Sequence, residues 1–135
     1  MMVKFLKLLM ELGRQQRHNN KMLKAGYIYY CDFGMHNNSM QWGKRPCIIV
    51  DNAMACAFSP CIHCVPLTTQ DKKKLPLHYK LQRTEDNNLT YESTALCEQY
   101  QLIDKKQLIK FLGKISQEEL VKITDLCKKN FPLSY

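Results

Sequence analysis

An arginine and a threonine stand at the ends of two apolar segments, where both side chains could act on one phosphate. Arg45 and Pro46 end a polar, glycine-containing loop and lead into the apolar residues 47–50, and Thr68 directly follows the apolar residues 61–67. Arginine offers a planar fork of donors to phosphoryl oxygens, and threonine adds a neutral donor. If the two segments are neighbouring strands, the two side chains could converge. Such residues are also common as plain loop residues, so the pattern alone does not establish a catalytic site.

Other catalytic signatures are missing from the sequence. The chain has neither a P-loop nor the glycine fingerprint of a dinucleotide site. Its four histidines, which contain no His-x-x-x-His pair, are His18, His36, His63 and His78. A two-histidine ribonuclease remains open, because such residues meet only in space. His63 fits a strand residue better than a base, and His78, near a basic run, is a weaker candidate for RNA contact.

The seven cysteines indicate a reducing compartment. Their odd number fits poorly with a complete disulfide framework, and most of them stand beside aliphatic residues, where cysteine packs as a small hydrophobe. Cys61 and Cys64 have zinc-like spacing, but residues three apart in a strand point to opposite faces, and a second pair is missing. We therefore expect a cytoplasmic protein that uses no metal and no cofactor.

Length and charge narrow the function classes further. The 135 residues suffice for one domain with a modest core, and no apolar run reaches the length of a membrane span. Twenty Lys and Arg against twelve Asp and Glu give a net charge of +8. A basic excess favours a polyanionic partner only slightly over a merely solubilising surface.

The N-terminal residues are expected to form an extension outside the main domain. Polar residues at positions 4, 7, 11 and 14 have helical spacing in an otherwise apolar stretch, and residues 14–24 are polar and basic. We therefore predict a helical extension and linker over residues 1–24, whose role the sequence does not reveal, and one domain over residues 25–135.

Within that domain the patterns predict an α+β fold with an antiparallel, barrel-like sheet. Strands are expected at residues 27–31, 47–50, 61–67, 77–81 and 93–102, with a loop at 32–43, a connection at 51–58 and a turn at 85–88. Two helices should follow. Asp104 and Gln107 have the spacing of a capping box, which predicts a short helix that ends at Gly113. Ser116 and Glu119 have the same spacing and predict the start of the last helix. The apolar face of that last helix consists of Leu120, Ile123, Cys127 and Phe131.

Five motifs occur in an order that is typical of one protein family. They are Gly26-Tyr27-Ile28-Tyr29-Tyr30-Cys31-Asp32-Phe33; Ser39-x-Gln41-x-Gly43-x-Arg45-Pro46 with Ile48-Ile49-Val50; Ser59-Pro60 leading to Val65-Pro66-Leu67-Thr68; Leu75-Pro76-x-His78; and Glu92-Ser93-Thr94-Ala95-Leu96-Cys97-Glu98-Gln99 followed by Ile103-Asp104-Lys105. From residue 26 to about residue 131 the chain resembles the MazF/PemK family of type II toxins. The N-terminal extension lies outside the resemblance.

The resemblance implies a fold, a reaction and partners. It implies an SH3-like antiparallel β-barrel of the CcdB/MazF type with C-terminal helices. It also implies a homodimer that binds single-stranded RNA, including mRNA, across the dimer groove, and a cognate antitoxin that blocks this groove. The implied activity is sequence-specific, metal-independent RNA cleavage that leaves 2′,3′-cyclic phosphate and 5′-hydroxyl ends.

The resemblance also assigns residues. It makes Arg45 and Thr68 the catalytic pair, and in some branches of the family the position of Glu98 holds a candidate general base. A plain strand residue that orders neighbouring loops explains Glu98 equally well. The candidate RNA-binding residues, in the loop before Arg45 and after Thr68, are Ser39, Gln41, Trp42, Gly43, Lys44, Thr69 and Gln70.

The chain departs from the family pattern at four positions. Trp42 stands where glycine is frequent and Met40 where glutamate is frequent; Gln101 and Gln107 replace frequent arginines. Trp42 could stack on a base or anchor the loop. Two other functions remain open: a CcdB-like inhibitor of DNA gyrase, and a catalytically silent module that binds RNA or antitoxin.

Overall fold

The structure is a computed structural model that describes residues 2–8, 22–35, 40–70 and 74–132. Residues 2–8 form helix α1, as the N-terminal spacing predicts. Most of the expected linker, and Ser39, lie outside the described residues. No helix in the described ranges is long and apolar enough to span a bilayer.

Seven strands form one antiparallel sheet in the described part of the chain. They are β1 (Tyr27–Asp32), β2 (Lys44–Ile49), β3 (Cys61–Thr68), β4 (His78–Leu81), β5 (Ser93–Leu96), β6 (Gln101–Asp104) and β7 (Leu108–Lys114). The strand order is β4-β5-β3-β2-β1-β7, with β6 also paired to β3. This confirms the predicted α+β class and the antiparallel sheet. The bounds of strands β1 to β4 lie within three residues of the predicted ones.

Helix α2 (Ala53–Phe58) lies between β2 and β3, where the sequence predicts only a connection. Its N-cap is Asn52, whose Oδ1 accepts a hydrogen bond from the N–H of Ala55 over 2.8 Å. At the other end, the buried Lys105 donates from Nζ to the carbonyls of Ala55 at 2.7 Å and Cys56 at 2.8 Å. These contacts satisfy the end groups of a helix too short to be stable alone.

The predicted fifth strand is interrupted by a short 3₁₀ turn (Cys97–Gln99), which separates β5 from β6. Leu67 of β3 pairs with Ala95, whereas Cys64 of β3 pairs with Gln101. The chain thus stays beside β3 on both sides of the turn, but its register shifts by the three residues of the turn. The shift takes these three residues out of the strand pairing.

The prediction of a first C-terminal helix is wrong. Asp104 and Gln107 do form the predicted capping box, but it closes only a 3₁₀ turn (Lys105–Gln107), and the chain continues as β7. Strand β7 pairs with β1, so a long-range ladder overrides the local helix signal. At Gly113 an added Cβ would lie 2.3 Å from the carbonyl oxygen of Asp86. This glycine therefore permits a close approach of two backbones instead of ending a helix.

The last predicted helix is confirmed as α3 (Gln117–Lys128). The Ser116 Oγ accepts from the N–H of Glu119 over 3.1 Å, and the carboxylate of Glu119 accepts from the N–H of Ser116 over 3.0 Å. Ile123 and Cys127 are buried as expected. Phe131, by contrast, is 62% exposed, because α3 ends before it.

Two apolar clusters hold the central strands. Side chains alternate between faces along a strand, so Val65 and Leu67 of β3 join the cluster that contains Ile123 of α3, and Ile62 and Cys64 join the other. The second cluster also contains Leu23, which is buried although it precedes the expected domain start. Since β2 and β3 are buried on both faces, the residues at their ends have rigid supports.

All seven cysteines are free thiols. Cys61 is half-buried, and the other six are buried. The thiols of Cys31 and Cys47 hydrogen-bond to each other, and this contact and burial raise the pKa of Cys31. Six of the seven cysteines thus serve as core residues.

Candidate functional site

Arg45 and Thr68 line the same cavity. Strands β2 and β3 pair as far as Cys47 opposite Pro66; two residues further in the same register, Arg45 would face Thr68. The ladder does not continue to that point, and the ends of the two strands line a cavity of about 230 Å³. The cavity is lined by Lys44, Arg45, Pro46, Leu67, Thr68, Thr69, Gln70 and Ser93. Two neighbouring strands thus bring the candidate catalytic residues together.

The guanidinium of Arg45 is held by the loop that precedes it. Its Nε donates to the carbonyl oxygen of Trp42 over 2.9 Å, and its Nη1 donates to Oε1 of Gln41. These bonds use two of the five N–H donors of an arginine, which leaves three for other acceptors. Burial lowers the pKa of Arg45, and the nearby phenol of Tyr30 opposes this shift. The side chain therefore has a fixed direction, and three of its donors have no partner among the described residues.

The loop itself is closed by main-chain hydrogen bonds. Gly43 donates to the carbonyl of Gly34 over 2.7 Å and accepts from the N–H of Phe33 over 2.9 Å. Gly43 has φ +78, a left-handed conformation that glycine adopts without strain. At the other side of the loop, the N–H of Gln41 donates to Oε1 of Gln99 over 2.8 Å.

The candidate RNA-binding residues have different environments. Trp42 is 44% exposed, and Lys44, Thr69 and Gln70 are exposed, with the last three lining the cavity. Gln41, by contrast, is 5% exposed and its side chain contacts Arg45. In this structure Gln41 thus supports the arginine instead of presenting its amide to a ligand.

Thr68 is held at the end of β3. It pairs with Thr94 of β5 and is only 3% exposed. Its Oγ1 accepts a hydrogen bond from the N–H of Gln70 over 3.2 Å. The hydroxyl proton can still be donated, because this bond uses only an acceptor lone pair. Thr68 can therefore offer a neutral donor to an oxygen in the cavity.

Glu98 lies in the 3₁₀ turn and forms a pair with His78. The Nδ1 of His78 accepts from the N–H of Leu75 over 3.3 Å, so the ring in this arrangement carries its proton on Nε2. That Nε2 lies 2.9 Å from Oε1 of Glu98. The other oxygen, Oε2, is buried and finds no hydrogen-bond partner among the described residues. Glu98 does not line the cavity of Arg45 and Thr68.

His63 belongs to a separate cluster. Its Nδ1 lies 2.9 Å from Oδ2 of Asp51, and its ring stacks on Tyr100 with centroids 4.9 Å apart. Burial raises the pKa of Asp51, but hydrogen bonds from His63 and from the N–H of Asn52 outweigh it, so the pKa lies below its ordinary value. His18 and His36 lie outside the described residues. The two described histidines are thus held by different carboxylates.

The contact between Gln99 and Gln41 is one that the sequence patterns do not reveal. Gln99 reaches Gln41 across 58 residues of chain, and no spacing or motif marks this pair. Within the described ranges, no group of three or more His, Cys, Asp or Glu residues is arranged to hold a metal ion.

Comparisons with known proteins agree on one family. Residues 24–131 match the family model described as PemK-like, MazF-like toxin of type II toxin-antitoxin system. The chain is 28% identical over 103 residues to an endoribonuclease MazF from Staphylococcus epidermidis, and the match covers 76% of this chain and 85% of that protein.

Solved structures share the fold. A mycobacterial endoribonuclease in complex with its cognate antitoxin has a TM-score of 0.67 at 20% identity, and the match covers 84% of this chain and 98% of that one. A MazF from Deinococcus radiodurans has a TM-score of 0.68 at 16% identity, with 80% and 94% of the two chains covered.

Proposed function

Because the chain belongs to the family of PemK-like, MazF-like toxins of type II toxin–antitoxin systems, we propose that it is a sequence-specific, metal-independent endoribonuclease. The substrate is single-stranded RNA, including mRNA, and its cleavage inhibits growth. The observation that carries this proposal is the cavity that Arg45 and Thr68 share. The name of the staphylococcal relative supports the same class of reaction.

In the proposed reaction, RNA supplies its own nucleophile. The 2′-hydroxyl loses its proton and its oxygen attacks the adjacent phosphorus in line. The bond from phosphorus to the 5′-oxygen breaks, and the leaving oxygen takes up a proton. The products are a 2′,3′-cyclic phosphate and a 5′-hydroxyl end. Donors of the protein can stabilise the negative charge that develops on the nonbridging oxygens.

Arg45 and Thr68 divide this stabilisation between them. The guanidinium of Arg45 is fixed by Gln41 and the carbonyl of Trp42 before any ligand is bound, and it keeps donors for a phosphate. Donors held in place before reaction do not have to reorganise as charge develops. Thr68 offers its hydroxyl to a nonbridging oxygen. A normal arginine is a poor acid, so Arg45 acts mainly through its charge.

Two roles fit Glu98 in this proposal. As a general base, its carboxylate would take the proton of the 2′-hydroxyl. The acceptor would be Oε2, which is buried and has no partner among the described residues, so this role requires Oε2 to become accessible to RNA. As a structural residue, it would hold the 3₁₀ turn through His78. Because Glu98 does not line the cavity, the first role requires RNA to extend from the cavity to the turn.

The RNA strand is proposed to run along the exposed part of the loop and the end of β3. Trp42 offers an aromatic face for a base, and Lys44, Thr69 and Gln70 offer polar contacts at the cavity. Ser39 and Gly43 contribute through the loop that covers the RNA. The net charge of +8 is consistent with this partner.

The remaining parts of the proposal concern assembly and location. We propose a homodimer and a cognate antitoxin, since one similar structure is an endoribonuclease bound to its antitoxin. Free cysteines favour the cytoplasm. The toxin domain is proposed to span residues 25–135, after the N-terminal extension 1–24.

We also propose that the sheet is SH3-like and barrel-shaped. The path of strands ends at β4 and β7. The turn that follows β4 approaches β7, because Asp86 accepts from the N–H of Lys114 over 2.9 Å. Asn88 Nδ2 donates to the carbonyl of Leu112 over 3.1 Å. These two hydrogen bonds support closure of the sheet into a barrel, because they join the turn after β4 to β7 at the other end of the sheet.

Incubating the purified protein with a long single-stranded RNA in EDTA tests the function. We expect cleavage with 5′-hydroxyl ends, and Arg45→Ala should slow it on the order of 10²-fold or more, because a preorganised donor is lost. The matched control is Arg83→Ala, an exposed arginine that also donates to a main-chain carbonyl.

Three results would contradict the proposal in different ways. RNA bound without cleavage would indicate a silent binding module. Intact RNA together with inhibited DNA supercoiling by gyrase would indicate a CcdB-like protein. A folded Arg45→Ala variant that cuts at the wild-type rate would remove the arginine from the mechanism.

A further inference from the structure

The 3₁₀ turn between β5 and β6 is connected to Arg45 by two consecutive hydrogen bonds. Oε1 of Gln99, in the turn, accepts from the main-chain N–H of Gln41 over 2.8 Å. The side-chain Oε1 of Gln41 then accepts from Nη1 of Arg45. Gln99 therefore fixes the backbone of a residue whose side chain fixes the guanidinium.

Both glutamines are themselves restrained. Gln41 is 5% exposed, so its side chain has little freedom to leave the arginine. Gln99 is half-buried, and its carbonyl oxygen accepts from Nε2 of Gln101 over 3.1 Å. The turn that bears Gln99 lies beside β3, the strand that carries Thr68. The two hydrogen bonds thus link Arg45 to the turn that lies beside the strand of its catalytic partner.

The Gln99 contact supplies the loop with a further attachment. Gly43 binds the main chain of Phe33 and Gly34 on one side, but residues 40–43 contain no regular strand or helix. Without an acceptor at Gln99, the N–H of Gln41 would lose its partner in the turn. The residue could then shift relative to β3, and the side chain of Arg45 would shift with it.

We propose that Gln99 is a positioning residue for Arg45 in the RNA cleavage described above, and that it acts through Gln41. The inference rests on the proposed function. Gln99 does not touch the reacting atoms; it keeps the guanidinium directed towards the phosphate that Thr68 also holds. Loss of this contact should lower kcat more than it changes KM, since a misdirected arginine weakens transition-state stabilisation while the exposed RNA contacts remain.

The test compares two substitutions of Gln99 that preserve its length. Gln99→Met removes the acceptor oxygen, whereas Gln99→Glu keeps it. We expect Gln99→Met to lower kcat about 10-fold to 100-fold, as small misplacements of catalytic groups do, with KM changed by less than about threefold. Gln99→Glu should recover most of the lost kcat. The matched control, Gln117→Met, alters an exposed glutamine on α3 and should cut RNA at the wild-type rate.

A double substitution tests the route through Gln41. Once Gln41→Ala has removed the link to Arg45, adding Gln99→Met should change kcat by less than about twofold, because the two residues act in series. Melting temperatures show whether each variant is folded. If Gln99→Met does not fold, Gln99→Ala replaces it in the same comparison.

The outcomes separate the two proposals. A wild-type protein that leaves RNA intact overturns the proposed function and this inference with it. If the wild type cuts RNA and folded Gln99→Met cuts equally fast, the inference alone is wrong. It is also wrong if Gln99→Met lowers kcat by the same factor with and without Gln41→Ala, because Gln99 would then act by another route.

Discussion

The imidazole of His78 and the carboxylate of Glu98 lie 2.9 Å apart, and the main-chain N–H of Leu75 occupies the other nitrogen of the ring. A ring held in this way donates to Oε1 of Glu98, which leaves Oε2 as an acceptor without a partner among the described residues. The two oxygens of Glu98 thus differ: Oε1 is held by His78, whereas Oε2 is a buried acceptor that RNA could use only if it became accessible.

Replacing Glu98 with glutamine tests whether this carboxylate is the general base. Glutamine keeps an acceptor for His78 but takes up no proton, so kcat should fall about 10²-fold to 10⁴-fold if Glu98 removes the 2′-hydroxyl proton. Single-turnover cleavage rates measure the effect, with Glu92→Gln, an exposed carboxylate paired with Lys80, as the control. An unchanged kcat would leave Glu98 with its structural role only.

The hydroxyl of Thr68 can be tested without changing the shape of the site. Valine replaces it with a methyl group of similar size, and serine keeps it. We expect Thr68→Val to lower kcat on the order of 10-fold to 10²-fold, because one donor to the phosphate is lost. Thr68→Ser should retain most activity. Cleavage kinetics of both variants, beside the exposed control Thr90→Val, decide the matter; equal rates for valine and serine would exclude the hydroxyl from the mechanism.

Trp42 is the single tryptophan of the chain and is 44% exposed. Its carbonyl oxygen accepts a hydrogen bond from Arg45. If its indole stacks on a base, Trp42→Gly should weaken RNA binding by about 1–3 kcal/mol and blur the preferred cut site, with little change in the chemical step. Trp42→Phe should retain part of the binding.

Fluorescence of Trp42 reports on the same question. An uncleavable RNA analogue should alter its emission when it binds. If the emission is unchanged while Trp42→Gly lowers the melting temperature, the residue is a loop anchor and the stacking proposal fails.

Asp51 should make the fold sensitive to acid. Its pKa in the folded protein lies below the ordinary value of 3.8, so the ionised form is favoured by folding. This contribution is complete above the unfolded pKa of about 4 and is lost as the pH falls through the lower folded pKa. Asp51→Asn should therefore destabilise the protein near neutral pH, and the difference from wild type should shrink below about pH 4.

Urea unfolding at several pH values measures this difference. Asp125→Asn serves as the control, because that exposed carboxylate lies 3.9 Å from the ammonium of Lys128. A gap between wild type and Asp51→Asn that stays constant down to the acid limit would show that the ionised form of Asp51 gives no such stabilisation.

Local sequence patterns predict an element correctly where long-range pairing does not override the local preference. The aromatic and apolar runs of β1 and β3 and the capping box at Ser116 and Glu119 lead to the observed strands and to α3. The capping box at Asp104 and Gln107 is equally real but produces a single 3₁₀ turn. Pairing of β7 with β1 decides that segment, and a single sequence contains no direct sign of this long-range contact.

The residues of the candidate site also differ in whether the sequence alone can identify them. Arg45 and Thr68 can be identified because residue type and strand ends are local properties. Gln99 lies in the turn that separates β5 from β6, and its contact with Gln41 joins residues 58 positions apart, so it does not follow from spacing.

The six buried thiols give this chain an internal reporter of its own opening. Only Cys61 is partly accessible in the folded protein, and the other six lie in the two apolar clusters. The thiolate is the form of cysteine that attacks an alkylating reagent, so burial and a raised pKa should protect residues such as Cys31. A labelling time course followed by mass spectrometry would thus show one fast adduct and six slow ones. The rates of the slow adducts would reveal which of the two apolar clusters opens first, without any engineered probe.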